Sequence, residues 1–150
     1  MSDLTFKIEG AAQSPTKFIA NARQFKLTLD EPPELGGEDA GANPVEYLLA
    51  GYAGCLNVVA HLTARELGIK LEKLKIEIQG NLNPARFLGE SNEERTGFKN
   101  IDVQFSPVTD AAPELIEEWI SAIKNRCPVN DNLANPTPLS FNIVQEGVLV

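Results

Sequence analysis

The sequence predicts an α+β fold in which strands wrap around one long, buried central helix. Three observations point there. Five short stretches alternate apolar and polar residues, which is the period of half-buried strands. The segment 43–67 is apolar on nearly every helical face, as in a helix covered on all sides. The elements run strands, long helix, strands, helices, strand, which is not the regular alternation of a parallel α/β sheet.

Each element has a local reason. Leu4, Phe6 and Ile8 read as a first strand, ended by a turn-like run from Gly10 to Thr16. Lys17 to Asn21 returns as a second strand, and Phe25, Leu27 and Leu29 form a third. Proline, glycine and acidic residues make 30–42 a loop, expected to be a solvated surface. The long helix opens at Asn43-Pro44-Val45-Glu46. Asn43 suits the N-cap, Pro44 the first helical position, and Glu46 the third, where it closes a capping box. Gly68 stops the helix after Leu67. Such a helix spans about 35 Å, more than one small domain surrounds, so a second subunit is expected along one side. Leu74, Ile76 and Ile78 pair with Ile101, Val103 and Phe105 as a hairpin, and the long polar connection 81–97 reads as a functional or flexible loop. Pro113 stands near the start of a second helix, with Leu115, Ile116, Trp119, Ile120 and Ile123 on one face. Cys127-Pro128 ends it, because a residue before proline is pushed out of the helical region. Cys127 then N-caps a short third helix. Residues 135–138 turn the chain, and Leu139, Phe141 and Ile143 form a last strand.

The 150 residues fit one domain, 1–150. Thirteen basic against 21 acidic residues leave a net charge of −8. This excludes nucleic acid and anionic membranes as generic partners, because phosphates demand a basic stripe. The N-terminal residues show no basic region followed by an apolar one, so no secretory signal is expected. The apolar run from Tyr47 to Leu62 reads as too short for a bilayer span, and Gly51, Gly54, Asn57 and His61 interrupt it. A cytoplasmic location is expected. In a reducing compartment two cysteines are not a disulfide scaffold but metal-binding, redox-active or simply buried.

Cys55 and Cys127 are the only cysteines, and His61 is the only histidine. Cys55 falls in the interior of the long helix, where a cysteine is commonly an inert small hydrophobe. Its neighbours leave another reading open. Helical side chains lean over the residue four before, here Gly51, and Gly54 directly precedes the cysteine. Bare backbone beside the sulfur admits either another helix or a substrate. A reactive Cys55 gains nothing from the helix dipole in mid-helix and needs a cation, from among Arg23, Arg65, Arg86, Arg95 and Arg126. Cys127, at a helix N-terminus, is expected to favour thiolate. A zinc site is not expected, since Cys55 and His61 are six residues, about 240°, apart on one helix. A Cys–His hydrolase pair fails on the same angle, and His61 reads as a boundary residue.

NPVEYLLAGYAGCLNVV, followed by CPVNDNLANPTP from Cys127, resembles the OsmC/Ohr family of thiol-dependent hydroperoxide reductases. The order of elements agrees over nearly the whole chain. The resemblance implies an OsmC-like fold and an intertwined homodimer with active sites at the subunit interface. It implies Cys55 as the peroxidatic cysteine attacking organic hydroperoxides, Cys127 as the resolving cysteine, and a disulfide between them. It implies a dithiol reductant, for some members a lipoyl-bearing protein, and no metal, flavin or haem. In the family an arginine from the amino-terminal sheet region pairs with the thiolate, and Arg23 is the match here. A glutamate usually holds that arginine ten residues before the cysteine, where this chain has Val45. Glu46, one position on, lies about 900° from Cys55, on the opposite face of the helix. It serves the partner's site, acts through Arg23, or is a capping residue alone. This departure places the chain in a less typical OsmC-like subgroup. It leaves a second reading, a dimer that binds a small apolar or thiol-reactive ligand without turnover.

Overall fold

Asn43 starts the long helix α1 (Pro44–Glu66) as the local sequence requires. Its side chain accepts from the Glu46 N–H at 2.9 Å, and the Glu46 carboxylate accepts from the Asn43 N–H at 2.8 Å. Two otherwise unpaired donors are thereby satisfied. The other end closes on Gly68, whose φ of +71° suits glycine. The Gly68 N–H donates to Arg65 and the Ile69 N–H to Ala64, the paired bonds of a Schellman motif, with Ile69 buried beyond it. The computed structural model describes residues 2–145.

Three strands, β1 (Glu9–Ala12), β2 (Phe18–Ala22) and β3 (Phe25–Leu29), form an antiparallel meander ahead of α1. After α1, β4 (Lys73–Asn81) and β5 (Asn100–Val108) form a separate antiparallel hairpin. Opposed pairs such as Ile76 with Phe105 and Ile78 with Val103 share its inner face. That face packs on the core with α2 (Pro113–Arg126) and α3 (Pro128–Ala134). Leu56 of α1 and Trp119 and Ile123 of α2 are fully enclosed at the centre. Each such side chain contributes about 1.5–3 kcal/mol by leaving water. The α+β class is therefore as the sequence predicts.

Several elements differ from the sequence reading. The first strand lies at Glu9–Ala12, not at Leu4 to Ile8, and Leu4 and Phe6 are exposed. The turn before β2 is tighter than expected. The Gln13 and Ser14 amides donate to the Lys17 carbonyl, and the Ser14 hydroxyl accepts from the Thr16 and Lys17 amides. Pairing therefore begins at Ala12 with Phe18. Gly10 fits inside β1 because a Cβ there would stand 2.2 Å from the Ile19 carbonyl oxygen. Leu139, Phe141 and Ile143 form no strand and are exposed, since no strand among the described residues pairs with them. The acidic loop is not wholly solvated. Asp30 is buried, and its carboxylate accepts from the amides of Glu31, Glu38 and Ala40 at 2.9–3.2 Å.

The helix α1 also departs from expectation. At 23 residues it is long and apolar enough to cross a membrane by length and composition, so its glycines do not shorten it. Tyr52, Leu56, Val59, Ala60, Thr63 and Ala64 face the core. Leu48, Gly51, Gly54, Val58 and His61, spaced three or four apart, form an exposed stripe. One chain thus covers one side of α1 and leaves the other bare.

Candidate active site

Proline 128 determines where the second thiol stands. It pushes Cys127 out of helical backbone to φ −82°, ψ 112°, so this residue ends α2 and N-caps α3 at once. The Cys127 sulfur accepts from the Asn130 N–H at 3.4 Å. The same kink aims it at α1. The Cys127 Sγ lies 3.2 Å from the Cys55 Sγ and donates its thiol hydrogen there. Both are free thiols, Cys127 buried and Cys55 half-buried. Residues 72 apart in sequence are thus held about 1.2 Å short of a disulfide bond.

The electrostatics of Cys127 differ from the sequence expectation. Burial pushes its thiol above the ordinary range, and the neighbouring Cys55 adds to this. The amides of Asn130 and Val129 pull the other way and are outweighed. The helix N-terminus acts in the expected direction, but enclosure wins, and Cys127 is a hydrogen-bond donor at neutral pH.

Two residues that sequence reading missed complete the cluster. The Tyr52 hydroxyl, one turn before Cys55, donates to the Asn130 side-chain oxygen at 2.6 Å. Burial raises the Tyr52 phenol, and the two thiols raise it further. The available signals were the three-residue spacing of Tyr52 and Cys55 on one helix, and Asn130 three positions after an N-cap. Tyr52 and Asn130 also line a cavity of about 550 Å³ with Val45, Leu48, Phe98 and Leu133. Gly51 and Gly54 face open space on the outer side of α1.

The other expected site residues stand apart. Arg23 occupies the β2–β3 turn, with its guanidinium 5.2 Å from the centre of the Phe25 ring. Its φ is +56°, in the left-handed region that favours glycine. Glu46 is exposed and engaged in its capping box. No hydrogen bond or ion pair joins any arginine to either thiol among the described residues. Arg126 instead pairs through both nitrogens with Glu66, and Arg86 donates to the carbonyls of Asn92 and Glu94. The exposed His61 ring lies 2.9 Å from the Asn57 carbonyl, away from Cys55.

A helix-borne thiol facing an N-cap thiol inside an α+β fold defines a protein built around a cysteine pair. The chain belongs to the OsmC-like protein family, which matches residues 36–142. A hydroperoxide reductase of Mycoplasma genitalium is 26% identical over 141 residues, covering 94% of this chain and 95% of the relative. The crystal structure of an OsmC-like protein from Mycoplasma pneumoniae superposes with a TM-score of 0.77 at 24% identity, over 90% of this chain and 91% of that one. An organic hydroperoxide resistance protein OsmC from Legionella pneumophila gives 0.63 at 22% identity, over 89% and 91%. These likenesses establish the OsmC-like fold, in a family whose members include proteins named for hydroperoxide reduction and resistance.

Proposed function

We propose that this protein is a thiol-dependent peroxidase that reduces organic hydroperoxides to alcohols. The observation that carries the reading is the 3.2 Å approach of Cys55 and Cys127. In the first step the Cys55 thiolate attacks the outer oxygen of the O–O bond. That bond breaks, a proton reaches the departing alkoxide, and an alcohol leaves Cys55 as sulfenic acid. In the second step the Cys127 sulfur attacks the Cys55 sulfur. The S–O bond breaks, the Cys127 proton and the hydroxide leave as water, and a disulfide forms. A dithiol, such as a lipoyl-bearing protein, then reduces the disulfide by exchange. The apolar surroundings of Cys55 favour an organic over a small hydrated peroxide. A reducing cytoplasm suits a cycle that must begin from two free thiols.

The proposed working unit is a homodimer. The bare stripe on α1 and the exposed Leu139, Phe141 and Ile143 support it, since both are apolar faces that this chain leaves uncovered. A cation beside Cys55 would then come from the second copy. Arg23 is the candidate, because a strained turn position has arginine where glycine would be easier. Glu46 would assist only through that arginine.

The test follows peroxide loss with reduced protein, an organic hydroperoxide and a dithiol. Turnover well above a Cys55→Ser control is expected, with a Cys55–Cys127 disulfide seen by mass spectrometry after one equivalent of peroxide. No turnover above that control overturns the enzyme reading. It would leave the ligand-binding dimer, which Val45 at the usual glutamate position favours.

A further inference from the structure

Tyr52 and Asn130 stand 78 residues apart in sequence, yet their side chains share the 2.6 Å hydrogen bond described above. Tyr52 lies one helical turn before Cys55, so its ring rides on the same rigid helix as that thiol. Asn130 belongs to the first turn of α3, and its backbone amide holds the Cys127 sulfur at 3.4 Å. Its side-chain nitrogen donates to the Lys124 carbonyl at 3.1 Å, in the last turn of α2. Asn130 therefore ties together the end of α2, the start of α3 and the Cys127 sulfur. Tyr52 ties that knot to the helix carrying Cys55.

We infer that Tyr52 and Asn130 are a pair of positioning residues that set the distance between the two thiols and so the rate of the resolving step. The inference rests on the peroxidase reading and deepens it. In this role neither residue needs to touch the peroxide or exchange a proton with it. Without the bond, α3 is still joined to α2 through Cys127 and Pro128, and the contact between the two thiols is the one hydrogen bond left between α1 and α3 with its N-cap among the described residues. Cys127 is then free to swing from the line on which its sulfur meets the Cys55 sulfur. That step needs sulfur–sulfur bond formation and loss of water, so it depends steeply on approach. The first step does not involve the Cys127 sulfur and is expected to be insensitive.

The experiment compares the full-length wild type with Tyr52→Phe, Asn130→Ala and the double variant, all fully reduced. Cumene hydroperoxide is added at one equivalent. Sulfenic acid at Cys55 is trapped with dimedone, and disulfide is counted by mass spectrometry at timed intervals. Each single variant should form the disulfide about 3- to 10-fold more slowly, the scale of one hydrogen bond. The rate of the first step should stay within about twofold. The double variant should be no slower than the worse single one, because both act through the same bond. At excess peroxide the variants should accumulate more Cys55 sulfinic acid, since the sulfenic acid waits longer.

Equal slowing of both steps, or additive losses in the double variant, would overturn the inference. A second measurement separates it from the peroxidase reading. The Cys55–Cys127 disulfide is equilibrated with reduced and oxidised glutathione, which needs no peroxide. If wild type has no peroxidase activity but its disulfide is still about 3- to 10-fold more favoured than that of Tyr52→Phe, positioning stands and the peroxidase reading falls. If the two equilibria are equal, the positioning role falls whatever the activity.

Discussion

The indole N–H of Trp119 donates to the carbonyl of Ala60 at 2.8 Å, joining α2 to the middle of α1 inside the core. The Thr63 hydroxyl reaches the same carbonyl at 3.2 Å, so removing the indole does not orphan it. The cost of losing Trp119 is therefore mainly a cavity. Trp119→Ala should lose about 3–5 kcal/mol, and Trp119→Phe clearly less. Urea unfolding followed by circular dichroism measures both, since Trp119 is the only tryptophan and its fluorescence is lost with it.

Cys127→Ser should split the proposed cycle. One equivalent of hydroperoxide should be consumed in a single burst, leaving a dimedone-reactive Cys55 and no intramolecular disulfide. Cys55→Ser should show no burst. A Cys127→Ser protein that turns over like wild type would show that resolution comes from elsewhere.

The raised Cys127 thiol gives a pH dependence of definite sign. Its folded pKa lies above the unfolded one, so its contribution to stability is full below the ordinary thiol range. It is lost as pH rises through the folded value. Wild type should therefore lose denaturation midpoint relative to Cys127→Ser on going from neutral pH to strongly alkaline pH. The disulfide-forming step should accelerate over the same range as thiolate appears.

Asp30 has the opposite sign. Burial alone would raise its carboxyl, but the amides of Ala40, Glu38 and Glu31, with the Thr16 hydroxyl, hold it below the usual carboxylate range. Its stabilisation is present above the unfolded carboxylate pKa and disappears as pH falls through the folded one. Hydrogen-exchange protection at the Glu38 and Ala40 amides should collapse in that acid window. In Asp30→Ala it should be absent at neutral pH already.

Val58 is 65% exposed on the bare stripe of α1. In the proposed dimer, Val58→Glu places a charge where the second copy would pack. Sedimentation should then shift from dimer to monomer or to unfolded chain. A variant dimer as tight as wild type would mean that this face is not the interface.

The features legible in the sequence are those governed by short-range rules. The capping box of Asn43 and Glu46, the glycine stop at Gly68 and the proline kink at Cys127 each involve residues within four positions. The β4–β5 face was legible because its alternation is unbroken on both strands. Two alternating stretches misled, at Leu4–Ile8 and Leu139–Ile143. Alternation says that one face wants cover, not which chain supplies it. Asp30 was hidden because an acidic run looks solvated until the loop folds three amides back onto one carboxylate. The Tyr52–Asn130 bond was hidden for the same kind of reason, since only the folded chain brings those elements together.

Closing the gap between the two sulfurs would fasten the middle of α1 to the junction of α2 and α3 across a 72-residue span. By loop entropy alone, that cross-link disfavours the unfolded chain by on the order of 4 kcal/mol. The oxidised molecule would then be the sturdier of the two forms, melting later and resisting proteolysis longer. Peroxide exposure would be recorded as durability, and the reductant that restores the thiols would also be the agent that loosens the fold.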